Sequence, residues 1–219
     1  MNQKNGIFLV FEGGEGSGKT TQAKLLADEL RKMGHEVLLT KEPGGDEGIC
    51  RDIRALLLNP VYSGKMSNLA ELLLFEADRA QHLEKEVRPA LQMGVVVISD
   101  RFEAATFAYQ CVARQVCSPD DFWLINNIAT NRLRPDMTFW IDVEPSLGLQ
   151  RNINAKKRDR FEMENVDFHR KVRAGYRKFF DSYVLSFQGE KFDGAMSINE
   201  LHVQILEAAK KMISGKLGK

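Results

Sequence analysis

The chain has 219 residues, 43% of them apolar and 28% charged, with 31 basic side chains against 30 acidic ones. That length holds a sizeable core and points to one domain over residues 1–219, while the near-zero net charge gives no general pull towards nucleic acid or an anionic membrane. Three cysteines without C-x-x-C spacing, a polar start (MNQKNG) and no apolar run near the ~18 residues of a membrane span point to a cytoplasmic protein with reduced thiols and no membrane partner.

IFLVF (7–11) is the first predicted strand, and it runs into GGEGSGKT (13–20). Gly13, Gly18, Lys19 and Thr20 occupy the fixed places of G-x-x-x-x-G-K-[ST], between this strand and a predicted helix at 18–33. Glycines there let backbone N–H groups approach phosphate oxygens, the helix turns its partial positive end towards them, and Lys19 adds a full charge. Thr20 offers a hydroxyl to Mg2+. A chance glycine-rich turn explains neither the spacing nor the placement. Glu15 is the odd member, because a carboxylate aimed at phosphate loses Coulomb energy and so must point out of the loop.

EVLLT (36–40) is the second strand and ends in TKEPGG (40–45), followed by a helix at 48–58. A longer helix over 66–92 has two faces. Leu69, Leu73, Ala77, Ala80, Leu83, Val87 and Leu91 recur at three- and four-residue steps and read as the core stripe. Phe75, Arg79 and His82 share another face, which admits either a surface cation–π pair or a ring and a guanidinium placed to bind a base. VVVIS (95–99), the third strand, ends in SDRF (99–102). Asp100 there is either a Mg2+ carboxylate or a helix cap, and Arg101 is either a phosphate grip or a surface ion pair.

TFWID (138–142) lies between helices predicted at 119–133 and 145–156; a helix at 163–186, a strand KFDGAM (191–196) and a helix at 198–214 complete the chain. Short apolar runs alternating with helices define an α/β fold, a five-stranded parallel sheet with helices on both faces, whose ligands collect at the carboxyl ends of the strands. Residues 151–178 carry ten Lys and Arg against four acids, a local charge of +6 in a chain of net +1. Its basic run NAKKRDRFE (154–162) is a solvated face or, in a phosphoryl-transfer enzyme, a lid that neutralises the transferring group.

Taken together, FEGGEGSGKTTQ (11–22), KEPGG (41–45), DIRALLL (52–58), FEADRAQH (75–82), DRFEAATFAYQ (100–110), DRFE (159–162) and FDGAMSINEL (192–201) resemble the thymidylate kinase family of P-loop nucleoside monophosphate kinases. The resemblance covers nearly the whole chain and implies a P-loop kinase fold, a short basic lid over about 151–162, and Mg2+-dependent phosphoryl transfer from ATP to dTMP in a homodimer. It implies that ATP is held by Gly13, Gly14, Glu15, Gly16, Ser17, Gly18, Lys19, Thr20 and Thr21, with Mg2+ at Thr20 and Asp100. Phe75 resembles the ring that stacks on thymine, Arg79 and Gln110 the side chains that read the base, with Thr106 beside them, and Tyr109 the aromatic that crowds the sugar's 2′ position. Arg54 and Arg101 resemble the clamp on the acceptor phosphate, Glu15 the acid that reaches the sugar's 3′-hydroxyl, and Glu42 another substrate contact. Lys19, Arg101 and Asp100 with the lid arginines Arg158 and Arg160 form the implied catalytic set; no arginine lies within the glycine loop itself.

Some positions depart from the family pattern. TKEPGGD places Lys41 and Asp46 where the family has T-R-E-P-G-G-T, and one extra residue precedes Ile53-Arg54, which makes Arg51 a rival to Arg54. Ala105 and Cys111 replace a frequent serine and glycine. A kinase for another nucleoside monophosphate, or for a nucleoside itself with Glu42 as the base it requires, remains the alternative. A GTPase lacks its N-K-x-D here, and a partitioning ATPase would have a lysine where Glu12 stands.

Overall fold

The computed structural model describes residues 6–45, 48–154, 159–183 and 188–217. Five strands, β1 (Ile7–Glu12), β2 (Val37–Lys41), β3 (Val96–Asp100), β4 (Met137–Asp142) and β5 (Gly189–Asp193), form one sheet in the order β2-β3-β1-β4-β5, and every pairing is parallel. The helices are α1 (Lys19–Lys32), α2 (Gly48–Leu58), α3 (Asn68–His82), α4 (Arg88–Gln92), α5 (Glu103–Thr106), α6 (Pro119–Thr130), α7 (Pro145–Asn154), α8 (Val166–Tyr183) and α9 (Ile198–Leu217), with π-helical segments at Leu83–Val87 and Phe107–Ala113.

The sheet is covered on both sides, as its unbroken apolar strands require. Side chains alternate across β1. Ile7, Leu9 and Phe11 pack against Leu26 and Leu30 of α1 and Ile205 and Ala209 of α9. Phe8 and Val10 face the other way, towards Leu83, Val87 and Ala90. A third cluster, built on Phe107, Tyr109, Trp140, Val172, Tyr176 and Phe179, closes the second face around α8.

Three expectations need correction. The stripe beginning at Leu69 and Leu73 is not the core face of α3, because these two leucines are 55% and 50% exposed while Glu71, Leu72, Glu76, Asp78, Arg79 and His82 are buried. Charge and burial are inverted on this helix, since each inward acid or base meets a partner inside the protein. The long helix is also interrupted: Pro89 has no N–H for the carbonyl one turn back, and the turn before it opens to π geometry. The last strand ends at Asp193, not at 196, because the Gly194 N–H turns to the Asp142 carbonyl and Ser197 with Glu200 begins α9.

Candidate active site

The carboxyl ends of β1, β2 and β3 open into a cleft of about 1240 Å³, larger than the ~300–1,000 Å³ of an ordinary small-molecule site. Its floor is the glycine loop. Gly18 sits at the N-cap of α1 with φ of +97°, a left-handed conformation costly for other residues, and leaves the first N–H groups of the helix without a side-chain cap. Lys19 Nζ reaches back to the Gly14 carbonyl at 2.7 Å and to Ser17 Oγ at 3.4 Å. Burial and the neighbouring Arg101 charge bring the Lys19 ammonium down to about 8. The Thr20 hydroxyl meets the Asp100 carboxylate, so two oxygen donors of the type a hard divalent cation takes stand together at the end of β3. Among the described residues no group of three or more acids, histidines or cysteines surrounds them.

Arg101 joins the loop to the rest of the cleft. Its backbone adopts φ of +81°, rare outside glycine. Its Nη1 donates to the Gly13 carbonyl and to Tyr176 Oη, each at 3.0 Å, and its Nη2 is paired with the Glu15 carboxylate. Tyr109 Oη also donates to Glu15, at 2.8 Å. Burial alone would raise the Glu15 carboxyl, but Arg101, Lys19 and the Tyr109 hydroxyl together hold it at about 2. Glu15 is therefore an anion whose side chain engages Arg101 and Tyr109.

On the opposite wall, Arg54 lines the cleft and donates to the Pro43 carbonyl, whereas Arg51 is exposed and outside the lining. Phe75 is half-buried there, with the Phe161 ring 5.8 Å away. Gln110 lines the same wall, and its Nε2 donates to Glu71 at 2.8 Å, which leaves its carbonyl oxygen as the acceptor it has to offer. Thr106 completes this wall.

Arg79 borders the cleft but is only 2% exposed. Its five N–H donors go to Glu42, Glu76, Asn126, the Phe102 carbonyl and Thr106, at 2.7–3.2 Å. In this arrangement it has no donor left for a base, and it is not the surface group that its helical spacing suggested. Glu42 is likewise engaged through both oxygens, one by Arg79 at 2.9 Å and one by His82 Nδ1 at 3.1 Å.

The predicted catalytic arginines part company. Arg160 does not line the cleft; it is buried, with Nε on the Leu57 carbonyl and Nη1 on Glu71, and its guanidinium lies over the Phe161 ring. Arg158 and Asp46 lie outside the described residues. Sequence reasoning also passed over four positions. Glu12 and Tyr176 stand behind Arg101, Arg151 donates to the carbonyls of Gly16 and Gly194, and Gly148 in α7 touches the glycine loop. A glycine inside a predicted helix was the one available signal, since it usually marks a close approach.

A sequence profile described as "Thymidylate kinase" matches residues 11–205. A thymidylate kinase of Sulfurihydrogenibium sp. (strain YO3AOP1) is 40% identical over 209 residues, covering 94% of this chain and 98% of the relative. One of Geotalea daltonii is 42% identical over 217 residues, 96% of this chain and 99% of the relative. The crystal structure of thymidylate kinase from Ehrlichia chaffeensis superimposes with a TM-score of 0.74 at 29% identity, covering 94% and 99% of the two chains.

Proposed function

The chain belongs to the thymidylate kinase family, and we propose that its cleft transfers the γ-phosphoryl group of ATP to dTMP, giving dTDP and ADP for dTTP synthesis. The observation that carries this reading is Arg101, whose guanidinium bridges the Gly13 carbonyl of the donor loop and Glu15, beside Tyr109 on the acceptor wall.

ATP lies with its phosphates on Gly13–Thr21 and the first turn of α1, and dTMP lies against Phe75, Thr106, Tyr109 and Gln110. The Gln110 oxygen accepts from a pyrimidine N3–H, and Arg54 and Arg101 hold the acceptor phosphate. An oxygen of that phosphate attacks the γ-phosphorus, the bond to the β-phosphate oxygen breaks, and Lys19 and Arg101 balance the charge spread over the transferring group. A phosphate oxyanion needs no base to deprotonate it, and Glu42, held between Arg79 and His82, is not free to act as one. This favours a nucleotide over a nucleoside acceptor. Thr20 and Asp100 fit Mg2+, which when bound offsets phosphate charge. The lid contribution falls to Arg158, and Arg160 anchors the lid to Glu71.

We also propose a cytoplasmic homodimer; among the described residues no helix is long and apolar enough to cross a membrane. α2 and α6 both pack on α3 and present Ile49, Leu56, Leu124 and Ile128 to solvent beside its exposed Leu69 and Leu73. Such an apolar face on adjacent helices fits a second copy. Phosphorylation assays across dTMP, dUMP, dGMP and thymidine test the activity: turnover of dTMP is expected, and turnover of thymidine without dTMP would overturn the assignment.

A further inference from the structure

Glu12 is the last residue of β1, 0% exposed, and no step of the transfer uses it. An acid buried so completely must have its lone pairs occupied. Oε1 accepts from the backbone N–H groups of Phe102, at 2.8 Å, and Ala105, at 3.1 Å. Oε2 accepts from Tyr176 Oη at 3.1 Å. The polarity of the last contact is fixed by the next one. Arg101 Nη1 is only a donor, so the Tyr176 oxygen accepts from it and the hydroxyl proton turns to Glu12. All three contacts at Glu12 therefore require lone pairs.

Two routes then lead from Glu12 to Arg101. One is the side-chain relay through Tyr176, itself 0% exposed. The other is the backbone: Phe102 follows Arg101 and opens into α5, so the Glu12 bonds pin the peptide that carries the left-handed φ of +81°. A residue in so uncommon a conformation keeps it only where its surroundings over-determine it. The Ser99 hydroxyl, donating to the Arg101 carbonyl at 2.8 Å, and the Phe11 carbonyl, accepting from the Arg101 N–H at 2.9 Å, supply the rest.

We propose that Glu12 is a positioning residue for phosphoryl transfer, acting through Tyr176 and the Phe102–Ala105 backbone to hold the Arg101 guanidinium between donor and acceptor phosphates. The proposal rests on Arg101 touching phosphate, as read above. Glu12→Gln keeps size but places an amide NH2 against Tyr176, whose hydroxyl then faces two donors while its own proton loses its acceptor. Tyr176→Phe keeps the ring in the core and removes the relay.

The test measures steady-state kinetics for dTMP and ATP in Glu12→Gln, Tyr176→Phe and their double variant, each also combined with Arg101→Ala, with thermal melts to establish folding. Misplacing a reacting contact by about an ångström costs up to ~100-fold, so each single variant is expected to lose about tenfold or more in kcat/KM for dTMP with the KM for ATP little changed. The double variant is expected to be no worse than the poorer single one, and neither change is expected to cost anything further once Arg101 is alanine. Multiplicative losses, or equal losses for ATP and dTMP, would assign Glu12 to the fold and overturn the proposal. If Glu12→Gln does not fold, Tyr176→Phe alone decides: unaltered dTMP kinetics in it overturn the relay. Arg101→Ala separates the two levels, for full activity there sinks the phosphate reading itself, whereas its inactivity beside wild-type kinetics in both single variants sinks only the positioning.

Discussion

Gly16 and Gly148 stand backbone against backbone: a Cβ built on Gly16 would lie 2.0 Å from the Gly148 carbonyl oxygen, and one built on Gly148 would lie 2.1 Å from the Glu15 carbonyl oxygen. The glycine loop thus rests on α7. Gly148→Ala must push one of them aside. An overpacking cost of about 1–3 kcal/mol borne by the loop in its nucleotide-binding form lowers ATP affinity roughly fivefold to 150-fold, measured by calorimetric titration of the folded variant. Wild-type affinity would show that the loop does not depend on this contact.

Arg79 is a buried cation between Glu42 and Glu76, so removing it leaves uncompensated charge in the interior, whereas Arg160 is buried against Glu71, which keeps Arg114 and Gln110 when Arg160 is gone. Arg79→Ala is expected to lose about 3–5 kcal/mol of stability and Arg160→Ala less, read from denaturant midpoints. Phe75→Ala, at a half-buried ring on the cleft wall, should raise the KM for dTMP with a smaller loss of stability. Kinetic defects with unshifted midpoints in the arginine variants would return them to direct substrate contact.

Burial and the neighbouring Arg101 charge bring Lys19 down to about 8. Triphosphate beside it favours the charge again and raises it. ATP binding at pH 8 should therefore take up protons, and affinity should decline as pH rises above 8. Calorimetry in two buffers of different ionisation enthalpy measures the uptake; identical apparent enthalpies would exclude it.

Glu12, Asp78 and Glu103 are each raised to about 7, chiefly by burial. A carboxyl raised in the folded state binds more protons there than when unfolded, so its stabilisation is complete below the unfolded value near 4 and is lost as pH climbs through 7. The denaturation midpoint is expected to fall between pH 5.5 and pH 8, and Glu103→Gln should reduce that fall. A midpoint that rises over this interval contradicts the assignment.

Leu69 and Leu73 are half-exposed on α3. If they are covered by a second copy, Leu69→Glu with Leu73→Glu converts a dimer into monomers in sedimentation velocity. A wild-type chain that sediments as a monomer at micromolar concentration removes the premise.

The parallel sheet and the glycine loop were legible because their signals are local: apolar runs of strand length, and a pattern fixed by spacing. What stayed hidden depends on partners distant in the chain. Leu69 and Leu73 read as core by their period, yet Glu71 is the buried residue, because Gln110, Arg114 and Arg160 converge on it. The helical run from Glu103 to Ala113 showed no period since nearly every side is buried, from Ala104 and Phe107 to Tyr109 and Cys111. Arg79 advertised itself as a surface group through Phe75, whereas its ring partner is Phe102, 5.1 Å away. Tyr176 carried no sequence signal, and its place behind Arg101 comes only from the docking of α8.

The strand order has a bearing on how the protein is made. β1 lies at the centre of the sheet, paired on one side with Val96–Asp100 and on the other with Met137–Trp140. During synthesis the segment that presents the glycine loop emerges before both of its neighbours, and the nearer of them in sequence, β3, must itself receive β2. Until Trp140 has left the ribosome one edge of β1 stays open, so the nascent chain carries its phosphate-binding motif long before it has the sheet to hold that motif in place.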